Sequence, residues 1–250
     1  MDANKIDLFR RVNRDVHPRD EMWRIAKIQL PEVGKAFHYY FATGGLLATR
    51  TRDYLLQRGA DPSQLSLLDF ACGYGRITRY LALVFREVVC SDVEPEMIEF
   101  AKERFGVHGF PSAIEAGAVA FPERRFDVVF SFSLFTHLHP EIWSTWFWTL
   151  FERVAPEGHF ILSTRSPEFA RKKGETFDEG ELVQFREKNE TLDRLDARIY
   201  GQTTASKAFV EGVIRERVGE IEYLDHFPSG TFDLHQDMHV FRKRGRASAG

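Results

Sequence analysis

The chain has 250 residues, 43% of them hydrophobic and 28% charged, with a net charge of −3 and a pI near 6.3. That length suits one large α/β domain with or without an attached cap. The charge balance argues against a nucleic-acid partner, and no apolar run reaches the ~18 residues that a membrane span needs. The two cysteines, Cys72 and Cys90, have neither disulfide-framework nor metal-site spacing. We therefore expect a cytoplasmic protein without nucleic-acid, membrane or metal partners; the sequence does not indicate its oligomeric state.

The first 62 residues are predicted to be helical. Apolar residues recur at helical spacing from Leu47 to Leu55. Gly59 is a typical residue at the end of such a helix, and a proline follows soon after it. We predict a helical N-terminal cap over residues 1–62.

From residue 63 onward, short apolar runs alternate with amphipathic helices. Strands are predicted at 65–70, 87–91, 125–131, 158–164, 220–224 and 238–241, and helices at 77–84, 95–105, 141–154 and 209–214. This alternation predicts a doubly wound, mostly parallel α/β sheet with helices on both faces. The last two strands have no helix between them, so we expect them to pair antiparallel. Residues 166–202 break the alternation with mixed, highly charged sequence.

The turn after the first predicted strand is the strongest candidate for a ligand site. It reads DFACGYG over residues 69–75. Polar ligands bind well where a strand enters a helix, because the first-turn amides are unpaired, and glycine lets the backbone approach closely. Gly73 and Gly75 meet this need, although two glycines in such a turn could also be purely structural. Asp92, at the end of the second strand, could accept both hydroxyls of a ribose or could simply stabilise a helix N-terminus.

The spacing of the glycines separates two kinds of cofactor. A dinucleotide fingerprint places a third glycine three positions after Gly75. That position is Thr78, which disfavours an NAD-dependent oxidoreductase but leaves it as an alternative.

Four segments in this order resemble the class I S-adenosylmethionine-dependent methyltransferases. They are LLDFACGYGR (67–76, motif I), CSDVEPEMIE (90–99, second strand), FDVVF (126–130, fourth strand) and RVAPEGHF (153–160, entry to the fifth strand). The resemblance implies a Rossmann-like methyltransferase fold with a seven-stranded sheet over residues 63–250. It also implies S-adenosyl-L-methionine as the cofactor and a substrate lid inserted at 166–202. A non-catalytic protein that only binds this cofactor remains an alternative.

The resemblance further implies which residues contact the cofactor. Ala71, Gly73 and Gly75 would line its methionine and ribose, Asp92 would hold the ribose hydroxyls, and Val93 would pack on adenine. The family's first motif I glycine is Ala71 here, which is small enough to be tolerated.

Two further positions complete the predicted cofactor site. The acidic residue that often follows the third strand in this family stands as Gly117. Ala118 is therefore expected to contact adenine through its backbone, with Glu115 as a possible substitute. Ser133, just after the fourth strand, is also assigned to the cofactor site.

His137 is the candidate catalytic residue. It follows the fourth strand at the carboxyl end of the sheet, where open α/β sheets place their sites. Methyl transfer to a hydroxyl needs a base that removes its proton. A histidine here could equally just hydrogen-bond its loop. His139, before Pro140, is interpreted as a helix cap or a surface residue. We predict methylation of a small molecule or sugar, on oxygen rather than nitrogen.

Three further segments extend the resemblance more loosely. Residues 40–44, residues 200–206 and the cluster His235-Gln236-Asp237 are similar to a subset of bacterial methyltransferases that modify glycans or small metabolites. The cluster could also be an ordinary solvated turn.

Overall fold

The computed structural model describes residues 8–178, 180–188 and 195–245. The chain divides into two compact units, residues 1–122 and 123–250. The helices are α1 (Glu21–Gln29), α2 (Val33–Gln57), α3 (Thr78–Leu81), α4 (Pro95–Phe105), α5 (Pro140–Phe151), α6 (Pro167–Lys172) and α7 (Lys207–Ile214). The strands are β1 (Ser66–Phe70), β2 (Glu87–Asp92), β3 (His108–Pro111), β4 (Phe126–Ser131), β5 (Val154–Thr164), β6 (Val183–Arg186), β7 (Gln202–Ala205), β8 (Ile221–Phe227) and β9 (Asp237–Lys243).

Seven strands form one sheet in the order β3-β2-β1-β4-β5-β9-β8. The pairs β1–β2, β2–β3 and β4–β5 are parallel, whereas β9 pairs antiparallel with both β5 and β8. The predicted mostly parallel, seven-stranded fold is therefore confirmed, as is the antiparallel pairing of its last two strands.

The first unit combines helices α1 to α4 with strands β1 to β3. Asp20 caps α1 by accepting a hydrogen bond from the Trp23 amide, and α2 continues for 25 residues. All five residues of β1 are buried, as expected for a central strand of a parallel sheet. Helix α3 is shorter than predicted. Beyond it, the amides of Leu83 and Val84 bond three residues back, so the chain tightens into turns.

The second unit contains an aromatic core. Trp143 and Phe147 of α5 are fully buried, and the Phe147 ring centroid lies 5.3 Å from that of Phe160 and 5.2 Å from that of Phe241. His139 caps α5, accepting a hydrogen bond from the Glu141 amide, which confirms the capping interpretation.

The segment 166–202 has more regular structure than its sequence predicts. It contains α6 and β6, and β6 pairs antiparallel with β7. Residue 179 and residues 189–194 of this predicted lid lie outside the described residues. Its role as a lid stays a prediction. In the part of the chain that the structure describes, no helix is both long and apolar enough to span a membrane.

Candidate functional site

The turn after β1 is held against the end of β2. The amides of Ala71 and Cys72 both donate to the Ser91 carbonyl, at 2.8 and 3.1 Å. Ala71, Gly73 and Gly75 all have positive φ, at 65°, 55° and 72°. Because a residue with a Cβ is strained by roughly 1–2 kcal/mol in this region, Ala71 stores strain where the family has glycine.

The two glycines of this turn serve different purposes. A Cβ on Gly75 would lie 2.5 Å from the Cε2 atom of Phe105, whereas one on Gly73 would meet nothing within 4 Å. Gly75 is therefore required for packing as well as for its backbone conformation. Gly73 presents an open backbone face, which is the feature that a closely bound cofactor needs.

Asp92 organises this open face. It is 6% exposed; its Oδ2 accepts from the Gly73 amide and its Oδ1 from the Val93 amide, both at 2.8 Å. Burial raises the pKa of Asp92, while backbone N–H groups of Gly73, Val93 and Glu94 oppose that shift. These three amides occupy three of the roughly four acceptor sites of the carboxylate, which leaves one for another donor. The carboxylate therefore suits a ribose hydroxyl of the kind that the sequence assigns to it.

Replacing Gly75 with alanine should destabilise the protein by about 2–3 kcal/mol, because strain at positive φ adds to a clash with Phe105. Gly106→Ala is the matched control, since Gly106 has φ of 67° and open space around its Cβ position. Chemical denaturation of both variants separates the two effects. Equal losses for the two variants would show that the Phe105 contact contributes nothing.

Asp69, in β1 just before this turn, carries a buried carboxyl. It is 2% exposed, and its Oδ2 accepts a hydrogen bond from the Thr78 hydroxyl at 2.6 Å. Burial raises the pKa of Asp69 to about 7; the Thr78 hydrogen bond opposes this shift and the charge of Asp92 adds to it. Thr78 stands where a dinucleotide-binding protein has its third glycine. Its hydroxyl instead forms a hydrogen bond to the buried Asp69 carboxyl.

The raised pKa of Asp69 predicts a pH-dependent stability. Between pH 4 and 7 the unfolded chain releases this proton while the folded chain keeps it, so stability falls as pH rises through this window. The loss amounts to up to about 4 kcal/mol, at about 1.4 kcal/mol per pKa unit. Asp69→Asn should remove it, so the variant gains stability relative to wild type between pH 4.5 and 7.5 in urea denaturation. The exposed Asp178→Asn variant is the control, and a pH-independent difference between Asp69→Asn and wild type would contradict the prediction.

Helix α2 packs directly behind the turn. The Arg76 Nη1 donates to the Thr43 hydroxyl at 2.6 Å, and a Cβ on Gly44 would lie 2.3 Å from the Arg76 carbonyl oxygen. The segment 40–44, singled out by the looser resemblance, therefore supports the cofactor turn from the cap side.

Arg79 ties the N-terminal segment to the same turn, a role that sequence reasoning missed. Its side chain is almost fully buried, and it donates to the carbonyls of Gly75 at 3.0 Å, Asn13 at 3.2 Å and Asp15 at 2.9 Å. The helical pattern alone gives no reason to bury an arginine there.

A further contact covers the turn itself. The His17 ring stacks on Tyr74 with centroids 4.3 Å apart and planes at 6°. The Tyr74 hydroxyl and Arg19 both donate to Glu96, at 3.1 and 2.6 Å. Residues 13–19 therefore form a strap across the cofactor turn.

The predicted adenine contacts lie at two places. Val93 is half-buried beside Asp92, and Ala118 is exposed in a short 3-10 segment. The Ala118 amide donates to the Glu115 carbonyl at 3.0 Å. Its carbonyl is therefore the backbone group of Ala118 best suited to meet the adenine amino group.

In the second unit, Ser133 occupies a strained position after β4. Its φ is 69°, and its amide donates to the Ser163 hydroxyl at 2.7 Å. Its own hydroxyl accepts from the Gln236 Nε2 at 2.7 Å, while the Gln236 Oε1 is buried without a hydrogen-bond partner among the described residues. Strained residues and unpaired buried polar atoms are both typical of ligand sites.

The rest of the His235-Gln236-Asp237 cluster is structural. The Asp233 carboxylate accepts from the amides of His235 and Gln236, at 2.8 and 2.9 Å. Asp237 is buried and pairs with His226 at 2.7 Å. This turn therefore serves to present Gln236 to Ser133.

His137 is oriented by the segment 200–206. Its Nδ1 lies 2.7 Å from the Gly201 carbonyl oxygen, and the Gly201 amide donates to the His137 carbonyl at 2.9 Å. The Tyr200 ring stacks on the imidazole at 4.7 Å. A carbonyl oxygen only accepts hydrogen bonds, so Nδ1 carries the proton and Nε2 is the basic nitrogen of the neutral ring. Loop hydrogen bonding and a catalytic role are thus compatible in His137.

Part of the chain is similar to known methyltransferases. Residues 67–158 match the model of a methyltransferase domain. An S-adenosylmethionine-dependent methyltransferase from Clostridium acetobutylicum has a similar structure, with TM-score 0.58, 15% identity, and 80% of this chain and 92% of that one covered. A magnesium protoporphyrin IX methyltransferase from Synechocystis (TM-score 0.55, 16% identity, 97% and 95% covered) is also similar. So is an amino pentose methyltransferase from Micromonospora echinaspora (0.56, 17%, 78% and 89%). No curated protein matches the sequence.

The fold and the matched segment together indicate a methyltransferase domain. Residues 67–158 match a methyltransferase domain, and the fold of the chain is that of the similar S-adenosylmethionine-dependent methyltransferases. The match to a methyltransferase domain argues against the NAD-dependent alternative. The matched segment includes every predicted site residue from Ala71 to His137, whose individual roles stay predictions.

Proposed function

We propose that this enzyme methylates an oxygen atom of a small molecule or sugar. The orientation of His137 is the observation that carries the proposal. Its Nδ1 proton is committed to the Gly201 carbonyl, so Nε2 is the nitrogen that takes up a proton. A hydroxyl is a weak nucleophile until it loses its proton, whereas a neutral amine needs no such base for attack.

The predicted cofactor residues fit S-adenosylmethionine, which supplies an electrophilic methyl group when bound. Gly73 offers an open backbone face, and the Asp92 carboxylate, with three backbone donors, keeps acceptor capacity for a hydroxyl. Ala71, Gly75, Val93, Ala118 and Ser133 complete the proposed set. The amino pentose named for one similar structure supports a sugar acceptor, and the porphyrin named for another shows that this fold serves other acceptors.

The class of acceptor and the cellular location are proposed from composition. The net charge of −3 supports a small-molecule or glycan acceptor over a nucleic acid. The free thiols of Cys72 and Cys90 support a cytoplasmic location.

Methyl transfer to a panel of acceptors tests the proposal. The purified protein, with S-adenosylmethionine labelled at the methyl group, is incubated with matched sugars, phenols, carboxylic acids and amines. We expect label on a hydroxyl-bearing acceptor and its loss when that hydroxyl is absent. Label on amines alone would overturn O-methylation. Calorimetric binding of S-adenosylhomocysteine without transfer to any acceptor would instead favour the non-catalytic alternative.

A further inference from the structure

Two arginines share a single carboxylate at the edge of the second unit. The Arg165 Nη2 lies 2.6 Å from the Glu175 Oε1, and the Arg186 Nη1 lies 2.9 Å from the Glu175 Oε2. The three side chains together carry one uncompensated positive charge. We call them the Arg165–Glu175–Arg186 cluster.

The cluster is partly withdrawn from water. The Arg165 side chain is 9% exposed, Glu175 24% and Arg186 34%. A third cation contacts the same aromatic ring as Arg165, since Lys173 Nζ and Arg165 Cζ lie 5.5 and 5.7 Å from the Phe169 ring centroid. Burying unbalanced charge is costly, and an anion bound there would remove that cost.

Arg165 also has hydrogen-bonding capacity to spare. Its Nη1 donates to the Thr204 hydroxyl and its Nη2 to Glu175, both at 2.6 Å. A guanidinium has five N–H donors, and among the described residues the others of Arg165 have no acceptor. Such a planar fork matches the geometry of a carboxylate or phosphate.

The position of the cluster connects it to the proposed acceptor site. Arg165 directly follows Thr164, the last residue of β5, at the carboxyl end of the strand. Ligands of open α/β sheets bind outside these strand ends. Two residues earlier, the Ser163 hydroxyl holds the amide of Ser133.

We propose that the Arg165–Glu175–Arg186 cluster binds a carboxylate or phosphate group of the methyl acceptor. The assignment of this anion to the methyl acceptor rests on the proposed function, whereas the binding of an anion by the cluster does not. The enzyme would then prefer acidic small molecules, such as hydroxy acids or sugar phosphates, over their neutral analogues.

Anion binding tests the proposal without turnover. Phenyl phosphate and benzoate are titrated into the S-adenosylhomocysteine-bound protein at constant ionic strength, with calorimetry as the readout. We expect wild type to bind at least one of them and Arg165→Gln to weaken that binding about tenfold or more, the worth of one charge-assisted bond. Glu175→Gln should strengthen binding, because it removes the competing carboxylate. The stronger probe shows whether the site prefers phosphate or carboxylate.

Two further variants serve as a charge control and as a second test of the cluster. Arg171→Gln removes the same charge from a 54% exposed position on α6 and should leave affinity within twofold. Arg186→Gln lies on the more exposed side of the cluster and should weaken binding about threefold or more even if Arg165→Gln does not fold.

Several results would overturn the proposal. They are absence of binding to wild type, unchanged or weaker binding by Glu175→Gln, and equal weakening by Arg171→Gln. Loss of S-adenosylhomocysteine affinity in Arg165→Gln would assign the anion to the methyl donor's carboxylate instead. A failure to detect methyl transfer would leave these binding results unaffected.

Discussion

Replacing His137 with alanine is expected to lower kcat at least ~100-fold if its imidazole is the base that deprotonates the acceptor. The binding of S-adenosylhomocysteine should be unchanged, because the predicted donor contacts lie elsewhere. His137→Asn should lose as much activity as the alanine variant. Asparagine places an N–H near the position of Nδ1, so it keeps a donor for the Gly201 carbonyl while removing the basic Nε2.

The pair of variants separates catalysis from loop structure. If His137 only held the segment 200–206 in place, His137→Asn would restore most of the activity lost in the alanine variant. His139→Gln is the control from the same loop, since His139 caps α5 and should affect stability by about 1 kcal/mol and activity less than fivefold. A loss under fivefold in His137→Ala, with donor binding intact, would make His137 structural.

Replacing Arg79 with methionine should lower the free energy of unfolding by about 3–5 kcal/mol. Methionine leaves the carbonyls of Gly75, Asn13 and Asp15 without their buried donor. It also removes the cation 4.6 Å from the Phe105 ring centroid. A protein of this size should then melt roughly 10 °C lower.

Arg79 also contacts a buried Tyr40–Asp20 pair. Its Nη2 donates to the Tyr40 hydroxyl at 3.3 Å, and that hydroxyl donates to Asp20 at 2.5 Å. Burial, with a contribution from Asp20, raises the pKa of Tyr40 well above its ordinary value, so Tyr40 stays a neutral donor. Losing Arg79 therefore removes the cation that is linked to the buried Asp20 carboxylate through the Tyr40 hydroxyl.

Arg104→Met is the matched control for Arg79→Met. Arg104 pairs with Asp15 at 3.4 Å, and both side chains are at least half exposed, so the loss should stay below about 1 kcal/mol. Denaturant unfolding and S-adenosylhomocysteine calorimetry are measured on both variants. Because residues 13–19 cover the cofactor turn, Arg79→Met should also weaken donor binding. Equal stability for the two variants would contradict the assigned role of Arg79.

The helices and strands that were predicted correctly depend mainly on local sequence pattern. The apolar run of β1, the helical spacing of α2 and the proline at the start of α4 are short-range features that act within a few residues. The missed strands were β3, β6 and β7, each four residues long, and the missed helix was α6, six residues long. A strand of four residues has too few alternating apolar and polar positions to be recognised from sequence. Such strands are stabilised by pairing with neighbouring strands, which local sequence does not show.

The sequence by itself determined the class of fold, since alternating periods lie in consecutive residues. It also predicts the cofactor site in the turn at 69–75, because a strand-glycine-helix junction is equally local. The tertiary structure alone decided which side chains meet. It brings His137 to Gly201 and Ser133 to Gln236, which lie 64 and 103 positions apart. It also gives Arg165 and Arg186 one shared carboxylate and buries Arg79 beneath the N-terminal strap. Such contacts depend on the path of the whole chain, which no local period encodes.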